Sequence, residues 1–346
     1  MKKQKVSIAI TILICLLVFN STNVNAQIGD NPMLAVQQFV LEIPKDFPTT
    51  SSWTHNSITS ITSLYDFNDT ISAYCVDFFN EDTKQEAYMI VNITSGKPQI
   101  LEFHPNEKSP YSDRERKAYY YGGFEKYYVK ENNDQLRNLL TNTMASRDAA
   151  LRDDSTGTSR AYRSVASGYK NISGVSDYQW RKGCTPTSLA MSIKYRFGSS
   201  VDSQKTLIDR VATACKPDKN GYTQSSDVTP GVLSYLSSKN ITPSFCRAYS
   251  ALAVSDIPIF GAASNPLSAY QSYINSDIPV TILMEGAKGT STAYPNGFGE
   301  HTVCGTGYYV GSSGQFVIVH TTQCEGDVYV AYSEKALGNF AWFIVY

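Results

Sequence analysis

The sequence predicts an α+β fold in two modules, and three features of its 346 residues predict it. In a module of residues 27–150, residues 27–130 alternate short β-rich runs with turn signals, and helical spacing appears near both ends. Residues 151–172 lose all apolar periodicity. From residue 173 the order changes: helical segments come first and a run of antiparallel-type strands follows, the pattern of segregated layers. The roughly 320 residues after the leader suit two domains of about 150 each.

The leader comes first. Lys2, Lys3 and Lys5 precede an uncharged, mostly apolar run from Val6 to Phe19, and "VNA" at 24–26 offers small or aliphatic residues before Gln27. That is the pattern of a secretory signal peptide over 1–26. Cys15 sits inside the apolar run with no small residue before it, which argues against a lipid anchor. No later segment reaches the ~20 apolar residues of a membrane span. The expectation is therefore a secreted, cell-surface or periplasmic protein with no membrane anchor once the leader is removed.

In the first module, "AVQQFVLEI" (35–43) and "DQLRNLLTNTM" (134–144) carry helical spacing. Between them "AYCVDFF" (73–79), "EAYMIVNI" (86–93) and "PQILEF" (98–103) read as strands separated by "NEDTKQ" and "TSGK". The Tyr-rich "AYYYGGFEKYYV" (118–129) suits an edge strand with its packing partners, or a carbohydrate or peptide platform. The segment 151–172 is small, polar and Arg-containing, as an exposed, cleavable linker would be. In the second module helices are expected at 185–197, 203–215, about 228–239 and near 267–275. Strands are expected at 279–284, 301–309, 315–320, 327–332 and 340–346.

Composition narrows the function. Thirty Lys and Arg stand against 31 Asp and Glu, without a basic cluster, so nucleic acid and anionic membrane surfaces are not expected partners. Six cysteines follow the leader: Cys75, Cys184, Cys215, Cys246, Cys304 and Cys324. None forms a CxxC pair and no zinc-module spacing occurs. Cys215–Cys246 is the one candidate bridge; the others, Cys184 apart, suit small buried apolar positions. No P-loop, GxSxG or HExxH motif occurs, and no cofactor or metal is implied.

One cysteine has a different setting. In "QWRKGCTPTSLAM" Gly183 frees the backbone before Cys184, and "TPTS" opens a helix, with Thr185 able to cap and Pro186 suited to the first turn. A thiol at a helix start feels the positive end of the dipole and unpaired N–H groups, which favour thiolate. Arg181 and Lys182 push the same way if their side chains reach. Gln179 and the Cys184 N–H can supply the two donors that an oxyanion needs. With four histidines in the chain, the search for a base is short. His55 and His104 fall in loop-like, solvated settings of the first module, whereas His301 opens a strand after the glycine-rich "AYPNGFGE" and is the plausible base.

Together "YQWRKGCTPTSLAM", "GEHTVCGTGYY" and "FVIVHTT" resemble the papain-like cysteine peptidases of the bacteriocin-processing (double-glycine) peptidase-like family, over about 173–346. The resemblance implies a papain-like domain of amino-terminal helices and carboxy-terminal antiparallel sheet, preceded here by a small α+β domain. It implies Cys184 as nucleophile, His301 as general base and acid, and Gln179 as oxyanion donor on a peptide or protein substrate. The order of module, linker and peptidase domain also resembles the streptopain type, in which the leading domain is an inhibitory propeptide.

The chain departs from the family pattern at three places. Thr185 and Glu300 replace glycines beside the Cys and the His, and Thr321 stands where an Asp usually follows the "VIVH" strand. A carboxylate would stabilise the imidazolium by roughly 1 kcal/mol more than a neutral acceptor. If the loop between 301–309 and 315–320 is odd in length, His301 and Thr321 share a face; if even, His320 takes that place. The missing Asp leaves a catalytically silent binding or inhibitor module as the alternative. An acyltransferase or transpeptidase using the same nucleophile is the third reading.

Overall fold

The computed structural model describes residues 31–42, 56–93, 98–112, 118–122, 127–140, 142–147, 166–250, 266–284, 301–311, 314–332 and 340–346. The leader, His55, linker residues 151–165 and the approach to His301, including Glu300, lie outside the described residues. Among the described residues no helix is long and apolar enough to cross a membrane.

The first module opens with helix α1 (Pro32–Glu42), as its spacing predicts. Strands β1 (Asn56–Tyr65), β2 (Ile71–Asn80), β3 (Gln85–Asn92) and β4 (Gln99–His104) follow. Then come β5 (Tyr119–Tyr121), β6 (Tyr127–Lys130), β7 (Gln135–Asn138) and β8 (Met144–Ser146). The tyrosine run is therefore a packed hairpin: Tyr121 and Tyr127 donate their hydroxyls to the buried Glu102 carboxylate at 3.0 and 2.5 Å.

The helix expected at 134–144 is instead the β7–β8 hairpin. Asn138 explains the change: its Oδ1 accepts the Leu140 N–H at 2.8 Å, and its own N–H donates to Thr143 O at 2.8 Å. Asn142 closes the turn in the left-handed region at φ 56°. Such side-chain-to-backbone bonds compete directly with a helix.

Strand β9 (Gly168–Asn171) occupies the end of the segment expected to be linker and pairs with β12 (His301–Gly311). Next come helices α2 (Cys184–Phe197), α3 (Gln204–Cys215) and α4 (Ser225–Ser237), strand β10 (Cys246–Ser250) and helix α5 (Pro266–Asn275). Strands β11 (Val280–Met284), β13 (Gly314–His320), β14 (Val328–Ala331) and β15 (Phe340–Val345) complete the second module around β12. Helices then strands is the expected order, except that the unexpected strand β10 falls ahead of α5; the other boundaries lie mostly within a residue or two of those read from the sequence.

The two modules share one sheet. Its order is β10-β15-β11-β12-β13-β14-β4-β3-β2-β1-β5-β6-β7-β8, with β9 beside β12. The junction is the antiparallel pair β14–β4, where Tyr329 faces Phe103 and Val330 faces Glu102. Alternation along each strand feeds two cores. Val317 and Val319 point into the layer under α2–α5, with Leu189, Ile193, Val303 and Phe343. Phe316 and Ile318 point the other way, where α1 packs Val36 and Val40 over Val76, Met89 and Phe103. At the junction Phe103 stacks on Tyr329 with ring centroids 4.2 Å apart. This core draws on both modules.

Candidate active site

Cys184 is the first residue of α2, and the turn before it is tightly determined. Lys182 has φ 62° and Gly183 has φ 137°. A Cβ on Gly183 would lie 2.4 Å from the Gly221 carbonyl oxygen, so only glycine lets the 216–224 loop pack on this turn. Thr185 does not cap the helix. Thr187 braces the turn instead: its hydroxyl accepts the Arg181 N–H at 3.1 Å and lies 2.7 Å from Gly183 O.

A ladder of hydroxyls then fixes α2 against the sheet. Thr185 Oγ1 lies 2.8 Å from Thr302 Oγ1, Ser188 Oγ donates to Thr302 O at 2.9 Å, and Ser192 Oγ meets Thr281 Oγ1 at 3.0 Å. Spaced i, i+3 and i+7, these three residues form one inward stripe that holds the helix start over the first residues of β12. The stripe is visible in the sequence but was not singled out there; Thr302 was also missed.

His301, the first residue of β12, thereby meets Cys184. The His301 imidazole hydrogen-bonds the thiol, and Thr302 donates to the same sulfur through its N–H and its hydroxyl. Burial pushes the Cys184 thiol up, but the His301 hydrogen bond and charge, with the Thr302 donors, outweigh it and leave the pKa below the ordinary thiol value. Arg181 does not contribute. Its guanidinium grips Asp209 through two bonds of 2.9 and 2.7 Å.

His301 is in turn oriented by Thr321, through the backbone. The imidazole Nε2 lies 2.8 Å from Thr321 O, so Nε2–H donates and Nδ1 is left for the thiol proton. The Thr321 side chain is turned away: its Oγ1 accepts N–H bonds from Gln323 at 3.1 Å and Cys324 at 3.2 Å. The parity question has a specific answer. Gly311 pairs with Gly314, an even connection, but the register slips between Gly305–Val319 and Gly307–Ile318. Thr306 is the extra residue of a β-bulge, and the slip returns 301 and 321 to one face. His320 faces the other way, 3.2 Å from Asp327 Oδ1.

A carboxylate at 321 should therefore not help. Thr321→Asp is expected to leave turnover no higher than wild type and the alkaline limb of its pH–rate profile unmoved, because the new carboxylate inherits the Gln323 and Cys324 N–H bonds. A rise in turnover with a broadened alkaline limb would show that the side chain reaches His301.

Gln179 is exposed, but the next residue ties its segment to the same rim: Trp180 N–H donates to Thr322 O at 2.6 Å. Cys215 and Cys246 are both thiols, not the expected bridge, and burial pushes each up to about 12. His104 is not solvated but 1% exposed, and burial pulls its pKa down to about 4. Cys324 is not purely apolar either, with its sulfur 3.1 Å from Thr321 Oγ1.

A low-pKa thiol at a helix start, paired with a strand-borne imidazole whose second nitrogen is held by an acceptor, is the arrangement of a cysteine peptidase site. Residues 169–342 match the family model described as the Peptidase_C39 like family, and the chain belongs to that family. No curated protein matches the chain.

Proposed function

We propose that this is an exported cysteine peptidase that hydrolyses peptide bonds through an acyl-enzyme. The hydrogen-bonded Cys184–His301 pair carries the reading. The Cys184 thiol passes its proton to His301 Nδ1, and the thiolate forms a C–S bond to the substrate carbonyl carbon. The oxyanion is met by the Cys184 N–H, at the first position of the helix, and by the Gln179 amide. The imidazolium returns the proton to the leaving amine as the C–N bond breaks. Imidazole then deprotonates a water that attacks the thioester, releasing the acid and the thiol. Thr321 O holds the imidazole throughout, and as a neutral acceptor it costs only roughly 1 kcal/mol of imidazolium stabilisation against a carboxylate. That difference is too small to silence the site.

Two measurements test the reading. A peptidyl chloromethyl ketone should modify Cys184 alone among the cysteines, and cleavage of unfolded protein should vanish in Cys184→Ala. A wild-type chain that reacts no faster than a free thiol and cleaves nothing would instead identify a silent binding module. Gln179→Ala separates positioning from reactivity. It should lower kcat by about 10²–10³-fold while leaving Cys184 alkylation by iodoacetamide unchanged, because alkylation develops no oxyanion.

A further inference from the structure

A second cluster of reactive side chains lies just behind the first, on the β14–β4 junction. His104 ends β4, Glu107 follows it in the first module, and Cys324 lies beyond Thr321 in the second. The ligand atoms of the three all fall within 4.8 Å of one another. A tetrahedral zinc-type ion with bonds of about 2.0–2.3 Å sets its ligand atoms roughly 3.3–3.8 Å apart. The three atoms thus lie within about 1–1.5 Å of that spacing.

The contacts inside the cluster are those of atoms facing a common point. His104 Nε2 and Glu107 Oε2 are 3.2 Å apart. The buried Nε2 makes no hydrogen bond of good geometry, although the Glu107 carboxylate and the Glu325 backbone both lie near the ring. Tyr88 stacks on the imidazole, with centroids 6.0 Å apart and planes 23° from parallel, and fixes its direction. Asn106 N–H approaches Nδ1 at 3.4 Å, a long contact that gives way when the ring proton moves to Nδ1 on ligation through Nε2. Glu107 and Cys324 also line a cavity of about 230 Å³ with Tyr88, Tyr127, Thr321 and Gln323. That cavity supplies an entry path and room for a water as fourth ligand. Glu325 and Asp177 lie close enough to act on Glu107, so the surroundings are negative before any ion enters.

We propose that His104, Glu107 and Cys324 form a binding site for a zinc-type divalent ion, open to the cavity, that ties the first module to the loop orienting His301. On binding, the Cys324 thiol loses its proton to solvent and the sulfur bonds the metal as thiolate. The hydrogen bond that the Cys324 side chain gives the Glu107 carboxylate is replaced by two metal bonds. Cys324 is also the residue whose N–H and sulfur meet Thr321 Oγ1. The ion therefore stiffens the turn whose carbonyl holds His301. Zinc is favoured over calcium or magnesium because those hard cations select oxygen ligands, and this set is sulfur, nitrogen and oxygen.

The site can be tested in the full chain carrying Cys184→Ser, which removes the other thiol–imidazole pair and makes the result independent of peptidase activity. Titration with Co²⁺ should give one equivalent of binding and a near-ultraviolet thiolate-to-cobalt band. Adding Cys324→Ser should abolish that band. Glu107→Gln changes a half-exposed rim residue and keeps the shape, so it should fold; its Zn²⁺ affinity, read by competition with a chromophoric chelator, should fall by at least about 10-fold. Absence of the band, its survival in Cys324→Ser, or an unchanged affinity in Glu107→Gln would overturn the proposal.

Discussion

Replacing His301 by Ala should lower turnover by about 10⁴-fold or more and should also move Cys184 alkylation to higher pH. The sign follows from what acts on the sulfur. Burial raises the thiol pKa, and the His301 hydrogen bond and charge bring it back below the ordinary value. Removing the imidazole leaves burial opposed only by the Thr302 donors. The wild-type alkylation rate should therefore inflect below the ~8.5 of a free cysteine, and the His301→Ala rate above the wild-type value. Stopped alkylation with iodoacetamide across pH, followed by mass spectrometry of the Cys184 peptide, measures both. Coincident inflections in the two proteins would mean that the imidazole does not act on the thiol.

Gly183→Ala should have the next largest effect. The added methyl would stand 2.4 Å from Gly221 O, and φ 137° is a conformation that an alanine resists. Either the 216–224 loop or the start of α2 must shift. Stability should fall by about 1–3 kcal/mol from backbone strain alone. Turnover should fall by about 10²-fold or more, because a displacement near 1 Å misplaces the sulfur against His301. Thermal melts with kcat on a peptide substrate measure the two losses separately. Wild-type values for both would contradict the close approach of the two glycine turns.

Much of the candidate site was legible because its signals are local. A glycine, a cysteine and a proline-bearing helix opening mark Cys184, and His301 stands out where histidines are few. The partner of His301 was legible only as a position. Thr321 acts through its carbonyl, and a backbone group carries no residue-type signature. The bulge at Thr306 that aligns it is equally silent in the strand pattern. Helical spacing misled at 134–144 because Asn138 closes an Asx-type turn that apolar periodicity does not register. Separate modules were expected because each has its own rhythm of elements. The clue to the shared sheet lay in β14, whose Val328, Tyr329, Val330 and Ala331 are apolar on both faces and so unsuited to a free edge. Which strand completes which is a long-range matter that neither segment spells out.

The β14–β4 junction also sets the order in which the chain can finish folding. Phe103 belongs to the first third of the polypeptide and Tyr329 to its last few per cent, so the edge of β4 has no partner until nearly the whole chain has left the ribosome. Pairing of such distant segments is entropically late and slow. In the interval β4 presents an open ladder of unpaired backbone groups, of the kind that invites pairing with another molecule. A carboxy-terminal truncation before Val328 should thus damage the amino-terminal half as well. Synthesis of the two halves as separate chains could restore the sheet only if the edges find each other by diffusion.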